Sequence, residues 1–189
     1  MGPLYGYQWR NFNAKYDEKT GKALEKGLDQ LENVVNLIRN QPSSRRILLT
    51  DFNPLQADEG VLYPCHSIII QFYVDESTNS LDMFCYNRSQ DVFLGTPFNI
   101  ASSALLLVLI AKITGNKARF LHMSLGDTHI YSPHEEVVLT QLARHPYVFP
   151  VLKITKEIKN IEDIEALTFT DFTLEEYQYH PGIKAEMVA

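Results

Sequence analysis

Three stretches of the chain hold side chains able to do chemistry. Cys65 and His66 are neighbours in Pro64-Cys65-His66. A thiol beside an imidazole is raw material for nucleophilic catalysis. On a strand, however, neighbouring side chains point to opposite faces, which makes His66 a poor candidate for the base of Cys65. An isolated cysteine is more commonly a small buried hydrophobe, and from position alone both readings stand. Arg45, Arg46 and Arg88 carry planar guanidinium groups of the kind that fork onto phosphate oxygens. Arg88 opens Arg88-Ser89-Gln90-Asp91, where a hydroxyl and a carboxylate follow closely. The plainer readings are a surface ion pair for Arg88 and simple solvation for the Arg45-Arg46 doublet. Gly126-Asp127-Thr128-His129-Ile130-Tyr131 gathers more polar groups at a strand-to-helix junction. Loops on rigid scaffolds often carry function, although a turn capped by Asp127 fits as well.

Other chemistries are excluded by spacing. His122, His129 and His134 match no compact zinc pattern, and Cys65 and Cys85 form no CxxC, so no metal is expected. Neither GxGxxG nor GxxxxGK[ST] occurs, which removes the Rossmann fingerprint and the P-loop. The aromatic residues are scattered and not interleaved with a basic run, and the net charge is −6. Both facts argue against binding nucleic acid or anionic membrane by bulk charge. A small anionic ligand needs only a few local cations and remains compatible. Two cysteines build no disulfide framework, so reduced thiols and a cytoplasmic location are expected. The start, MGPLYGYQWRNF, lacks the apolar run of a signal peptide. The apolar stretch 104–111 is too short to span a bilayer.

These residues need a scaffold, and 189 residues with 45% apolar and 21% charged side chains can bury a sizeable core. Stretch 13–27 reads as a charged surface loop. Leu28, Leu31, Val34, Val35 and Ile38 then recur at helical spacing until Asn40-Gln41-Pro42 stops the helix. Residues 47–50 read as a strand, 67–74 as a buried strand, and 75–80 as a turn leading to a return strand through Leu81, Met83 and Cys85. Residues 100–113 are apolar nearly all round, which predicts a central buried helix ended by Gly115. Another strand is expected at 119–125. Ser132-Pro133-His134-Glu135 has the form of a capping box that would start a helix running to about Arg144. A short strand at 151–155 completes the reading. Helices and strands mix without strict βαβ order, so the expected class is α+β with a mixed or mostly antiparallel sheet.

In their order along the chain, these segments closely resemble the thymidylate synthase family. The match runs through Gly2-Pro3-Leu4-Tyr5-Gly6-Tyr7-Gln8-Trp9-Arg10, Asp29-Gln30-Leu31, Ser44-Arg45-Arg46-Ile47, Pro64-Cys65-His66 and Gln71-Phe72-Tyr73-Val74. It continues through Tyr86-Asn87-Arg88-Ser89-Gln90-Asp91-Val92-Phe93-Leu94-Gly95, Pro97-Phe98-Asn99-Ile100-Ala101-Ser102, Gly126-Asp127-Thr128-His129-Ile130-Tyr131 and His180-Pro181-Gly182-Ile183-Lys184. The resemblance implies that family's α+β fold, with a mixed or antiparallel sheet and a buried central helix. It also implies reductive methylation of dUMP to dTMP, with methylene tetrahydrofolate as cosubstrate and no metal.

Site residues follow from the resemblance. The family's nucleophile falls on Cys65, which would add to carbon 6 of uracil, as a thiolate favoured by nearby guanidinium groups. Arg88 and Ser89 match its phosphate contacts, with Gln90 and Asp91 grouped beside them on the dUMP side. Arg45 and Arg46 match the arginine pair lent across a homodimer interface to the partner's phosphate. Asn99 matches the residue reading the uracil edge, since an amide both donates and accepts. The related dCMP hydroxymethylases carry Asp there. His129 and Tyr131 match the contacts to the deoxyribose hydroxyl. Asp91 matches the carboxylate holding the folate's pterin. Leu94, Gly95 and Phe98 match the folate wall, and Val188 belongs to the tail that closes over it.

The chain also departs from the family. Asn87 stands where the family has Gln, one methylene longer, which implies one dUMP hydrogen bond lost or bridged by water. Phe52 replaces a Trp. The tail keeps its length through Met187-Val188-Ala189. The family's N-terminal third has no counterpart here, so 1–189 reads as that catalytic domain without its N-terminal part. The missing third includes a glutamate that organises proton transfer. General acid–base help is worth about 10²–10⁴-fold, so weak or absent turnover is expected of this polypeptide alone. The alternatives are a dUMP hydroxymethylase, in which water rather than hydride quenches the methylene, and an impaired chain that only binds nucleotide.

Overall fold

A computed structural model describes residues 2–188; Met1 and Ala189, the first residue and the last of the tail, lie outside the described residues. The elements run α1 (Gly6–Asn11), β1 (Tyr16–Asp17), β2 (Lys22–Ala23), α2 (Gln30–Asn40), β3 (Leu48–Thr50), β4 (Ile69–Asp75) and β5 (Ser80–Asp91). After these come α3 (Gly95–Thr114), β6 (Lys117–His129), α4 (Glu135–Leu142), β7 (Val151–Ile154), α5 (Ile161–Glu165) and β8 (Phe172–Glu175).

The central sheet has the order β3-β4-β5-β6. β3, β4 and β5 are antiparallel neighbours, whereas β5 and β6 run parallel, so the sheet is mixed and the fold α+β. Alternation decides which face is covered. On β4, Ile70, Phe72 and Val74 point inward, while Ile69 and Tyr73 stand half-exposed on the other face. Onto the inner face pack Val34, Val35 and Ile38 of α2 and Leu107, Ile110, Ala111 and Ile113 of α3, with Ile158 and Ile161 joining from the C-terminal part. Asp29 caps α2 by accepting from Glu32 N at 2.9 Å and also receives Arg10 Nε at 2.9 Å. The same guanidinium reaches Glu165 at the far end of the chain.

Several sequence expectations need correction. The central helix is not apolar-buried all round. It starts earlier, at Gly95, and its first turns stay open, with Phe98 77% and Ile100 47% exposed. Helix α3 is long and apolar enough by composition to cross a membrane, yet its second half buries that apolar character against the sheet. Gly115 does end it, in the left-handed conformation at φ 78°. The capping box at Ser132 does not form. Ser132–His134 make a 3-10 turn that uses Pro133, with no side-chain cap, and α4 begins at Glu135. Stretch 13–27 carries the small hairpin β1–β2. Strand β4 starts at Ile69, which leaves Cys65 to Ser67 in irregular backbone. Strand β6 runs on to His129, so Gly126 lies within it rather than at a junction.

Gly126 is required by close approach. A Cβ there would sit 2.5 Å from Arg88 O and 3.1 Å from the Tyr86 hydroxyl. Gly126→Ala should therefore force β6 away from β5 at Arg88, with a loss of about 1–3 kcal/mol on urea denaturation. A denaturation midpoint equal to that of the parent would show that the strands do not approach this closely.

Candidate active site

Strands β5 and β6 finish side by side. Ser89 faces Asp127, Gln90 faces Thr128 and Asp91 faces His129, and Val92 N donates to His129 O at 3.0 Å. Helix α3 begins four residues after β5. The carboxyl ends of parallel strands and the first turn of a helix therefore meet, a place where ligands commonly bind. The irregular segment before β4 is laced to the same spot. Ser89 N donates to Cys65 O at 3.2 Å, and Ser67 N donates to Asn87 Oδ1 at 2.7 Å.

The nearest functional group to the Cys65 sulfur is a phenol. Tyr5 Oη lies 3.5 Å from Cys65 Sγ and accepts from Cys65 N at 3.4 Å. Its ring stacks on His66 with centroids 4.4 Å apart. His66 itself makes no hydrogen bond to the thiol. Burial, then the hydrogen bond with Cys65, push the Tyr5 phenol well above its ordinary range, so it stays protonated at neutral pH. Burial pushes His66 downward, toward its neutral form. Beside them Asp51 is 1% exposed, and neither of its carboxylate oxygens has a hydrogen-bond partner among the described residues. Burial raises its pKa to about 8. Tyr5 thus links the Cys65 sulfur to the His66 ring, and the buried Asp51 acts on the Tyr5 phenol through space.

Charge enters from the other side. Arg88 donates from Nε to Pro64 O at 3.0 Å and lies over the Tyr63 ring at 5.5 Å, which holds its exposed guanidinium next to the cysteine loop. Behind it runs a buried amide relay. Asn87 Nδ2 donates to Gln90 Oε1 at 2.6 Å, and Gln90 Nε2 donates to Asn99 Oδ1 at 2.9 Å. Asn87 is 0% exposed and Gln90 1%. Asn87, with both ends of its amide engaged in protein, is placed as scaffold, and Gln90 is buried behind Asn99. Asn99 keeps its NH₂ and one lone pair of its oxygen for a ligand. Asp91 Oδ1 accepts from Phe93 N at 3.0 Å and Leu94 N at 3.3 Å, shaping the turn into α3 and leaving Oδ2 unengaged.

The structure gathers Cys65, Arg88, Ser89, Gln90, Asp91, Asn99 and His129 at this end of the sheet. Tyr131 follows, edge-on to His129 at 4.9 Å, and His129 Nδ1 lies 3.4 Å from Asp127 Oδ1. Leu94, Gly95 and Phe98 line the adjoining start of α3, and half-buried Val188 belongs to the tail. Arg45 and Arg46 are not brought to Cys65. They are exposed just before β3, at the end opposite the cysteine, because Leu48 pairs with Gln71 while Thr50 pairs with Ile69. Sequence reasoning missed Tyr5, Asp51 and His134. Nothing local ties residue 5 to residue 65, and only the fold shows the contact. Among the described residues no group of three His, Cys, Asp or Glu side chains is placed to hold a metal ion.

The family model described as thymidylate synthase matches residues 1–189. The chain belongs to the thymidylate synthase family. It is similar to the thymidylate synthase of Homo sapiens, at 45% identity over 99% of this chain and 58% of that protein. The thymidylate synthase of varicella-zoster virus (strain Dumas) is 43% identical over 99% of this chain and 60% of its own length. The bifunctional dihydrofolate reductase-thymidylate synthase of Plasmodium chabaudi is 45% identical over all of this chain and 31% of its own length. The chain therefore spans less than two thirds of these relatives.

The unpartnered Asp51 makes this thymidylate synthase-family chain pH-sensitive in a definite direction. With its folded-state pKa raised to about 8, the folded state holds a proton that the unfolded state releases above the ordinary carboxylate range. Stability should be greatest in mild acid and fall by up to about 1.4 kcal/mol per pH unit between roughly pH 4 and pH 8. Asp51→Asn should remove that slope and be the more stable protein at about pH 8. Parallel stability–pH curves for the two proteins would refute the assignment.

Proposed function

We propose that this chain converts dUMP to dTMP by reductive methylation, with Cys65 as nucleophile and methylene tetrahydrofolate as cosubstrate. The observation that carries the reading is the Cys65 thiol against a protonated phenol, next to a loop whose Pro64 O holds the exposed Arg88 and whose Cys65 O accepts from Ser89 N, with a half-free asparagine amide at the start of α3. Cys65 Sγ adds to carbon 6 of the uracil, and the electron pair of the ring double bond becomes available at carbon 5. Tyr5, still protonated, donates a hydrogen bond to the sulfur anion. Asn99 NH₂ donates to a uracil carbonyl while its oxygen accepts from the ring N–H. Arg88 and Ser89 hold the phosphate, and His129 and Tyr131 hold the sugar hydroxyl. Carbon 5 uses that electron pair to take the one-carbon unit from the folate. Loss of the carbon 5 proton then releases the folate nitrogen, and hydride added to the exocyclic carbon expels Cys65 as thiolate and restores the ring double bond. Phe98, 77% exposed, offers a flat apolar wall, and Asp91 Oδ2 has no partner among the described residues and can accept, which together fit a pterin with ring N–H groups. Leu94 and Gly95 extend that wall, and the tail at Val188 covers it. The folate supplies the one-carbon unit and the hydride.

We also propose a homodimer in the cytoplasm. The outer face of the sheet presents Ile69, Tyr73, Phe84, Tyr86 and Phe120, each 39–56% exposed. Such a contiguous apolar face fits burial against a second copy. Arg45 and Arg46, remote from their own cysteine, would then serve the partner's phosphate. A reducing compartment keeps the Cys65 nucleophile free, and both cysteines are free thiols.

5-Fluoro-dUMP with methylene tetrahydrofolate should give a covalent adduct on Cys65 by mass spectrometry. Cys65→Ala should give none, and any tritium release from carbon 5 of dUMP shown by the parent should be lost. A parent protein that forms no adduct would sink the nucleophile assignment. Sedimentation should show a dimer that Tyr73→Asp converts to monomer. A parent that sediments as a monomer at micromolar concentration would remove the role given to Arg45 and Arg46.

A further inference from the structure

Beyond β8, residues 176–188 form no helix or strand. Chain outside a ladder has no regular partners for its backbone groups, so side chains must hold it in place. Among the described residues two hydrogen bonds hold this segment, and both come from histidine rings. On the surface His180 Nε2 donates to His145 O at 2.8 Å, with the His180 ring 4.6 Å from that of Tyr147. Six residues on, His134 Nε2 donates to Glu186 O at 2.7 Å.

The second contact is unusual in its burial. His134 is 0% exposed, and its Nδ1 is buried without a partner among the described residues. Glu186 O can only accept, so the ring proton sits on Nε2 and Nδ1 is bare. Burying an unpartnered ring nitrogen is unfavourable, and an apolar side chain would fill the space without that cost. What the imidazole adds is one directed donor aimed at the tail. Its ring also packs on Phe93 at 5.5 Å and Tyr131 at 5.8 Å. Phe93 lies between Asp91 and Leu94, two of the residues proposed to hold the folate.

We propose that His134 is a positioning residue for the cosubstrate. Its Nε2–H fixes the tail at Glu186, two residues before Val188, and its ring ties that point to the Phe93 segment beneath the folate wall. The tail's landing place is thus set before any ligand arrives. His180 is the outer pin and His134 the inner one. The folate half of this inference rests on the function proposed above; the pin itself does not.

Three measurements test it. In the parent, nitrogen-15 NMR should show the His134 ring as the Nε2–H tautomer at neutral pH. An Nδ1–H ring would overturn the proposal without any substitution that could disturb folding. Trypsin cleavage after exposed Lys184 in the ligand-free protein should accelerate about five- to tenfold in His134→Leu. It should return to the parent rate in His134→Gln, whose amide can donate from nearly the same point. An unchanged rate in a folded His134→Leu would overturn the pin. With 5-fluoro-dUMP present, methylene tetrahydrofolate should bind His134→Leu at least about fivefold more weakly. Affinity for 5-fluoro-dUMP alone should fall less than affinity for the folate, and His134→Gln should restore folate binding. A loosened tail with unaltered folate affinity would overturn the positioning role. A parent that binds no folate would defeat the proposed function instead, and the cleavage rates would still decide the pin.

Discussion

Two strands that run the same way cannot be joined by a tight turn; the chain must cross back over the sheet before the second can begin. The parallel pairing of β5 with β6 imposes that requirement here, and much of the molecule follows from it. The return path is α3, whose apolar second half closes the core over the inner face of the sheet. Because α3 starts immediately after β5, its first turn delivers Leu94, Gly95, Phe98 and Asn99 to the place where both strands end. The pairing demands close backbone approach at Arg88, which only a glycine opposite allows. The residues proposed for the nucleotide and those proposed for the folate are therefore neighbours because one crossover connects them.

The site also solves an electrostatic problem. The chain carries a net charge of −6, yet the proposed ligand is an anion. The solution is local. Tyr5, which touches the sulfur, and the His66 and Asp51 side chains near it are held toward neutrality by burial: a phenol that keeps its proton, an imidazole pushed toward its free base, and a carboxyl raised to about 8. Cationic charge is confined to the exposed Arg88, tethered to Pro64 O. Hydrogen-bond direction inside the cluster is set by an amide relay from Ser67 through Asn87 and Gln90 to Asn99. Asn87 is a methylene shorter than the family's Gln, and it spans the gap between Ser67 and Gln90 rather than reaching outward.

The elements that were legible in the sequence are those whose signal is periodic and local. The α2 helix, the β4–β5 hairpin, the Gly115 stop and the mixed α+β class all follow from apolar spacing and turn chemistry. Local motifs misled where tertiary geometry overrode them. Ser132 has the sequence of a cap, but the chain arrives in a 3-10 turn and the hydroxyl is not used. The open first turns of α3 look like core because composition cannot tell a buried apolar residue from an exposed one. In the site, motif residues were recognisable, while Tyr5, Asp51 and His134 were not. Their importance lies in contacts across 60 residues for Tyr5 and 52 for His134, which no short pattern encodes.

Helix α1 has six residues, too few to hold itself in water. Part of what fixes it is Arg10, which reaches Asp29 at the α2 cap and Glu165 in α5. That second contact joins residues 155 positions apart, so it closes one of the longest loops in the molecule. Closing long loops is entropically slow and comes late in folding. Helix α1 thus gains this anchor only after residue 165 has been made. The Tyr5 phenol, one residue before α1 and next to the Cys65 sulfur, consequently depends for its placement on a contact with the far part of the fold, and a chain stopped short of α5 would present its thiol without that neighbour secured.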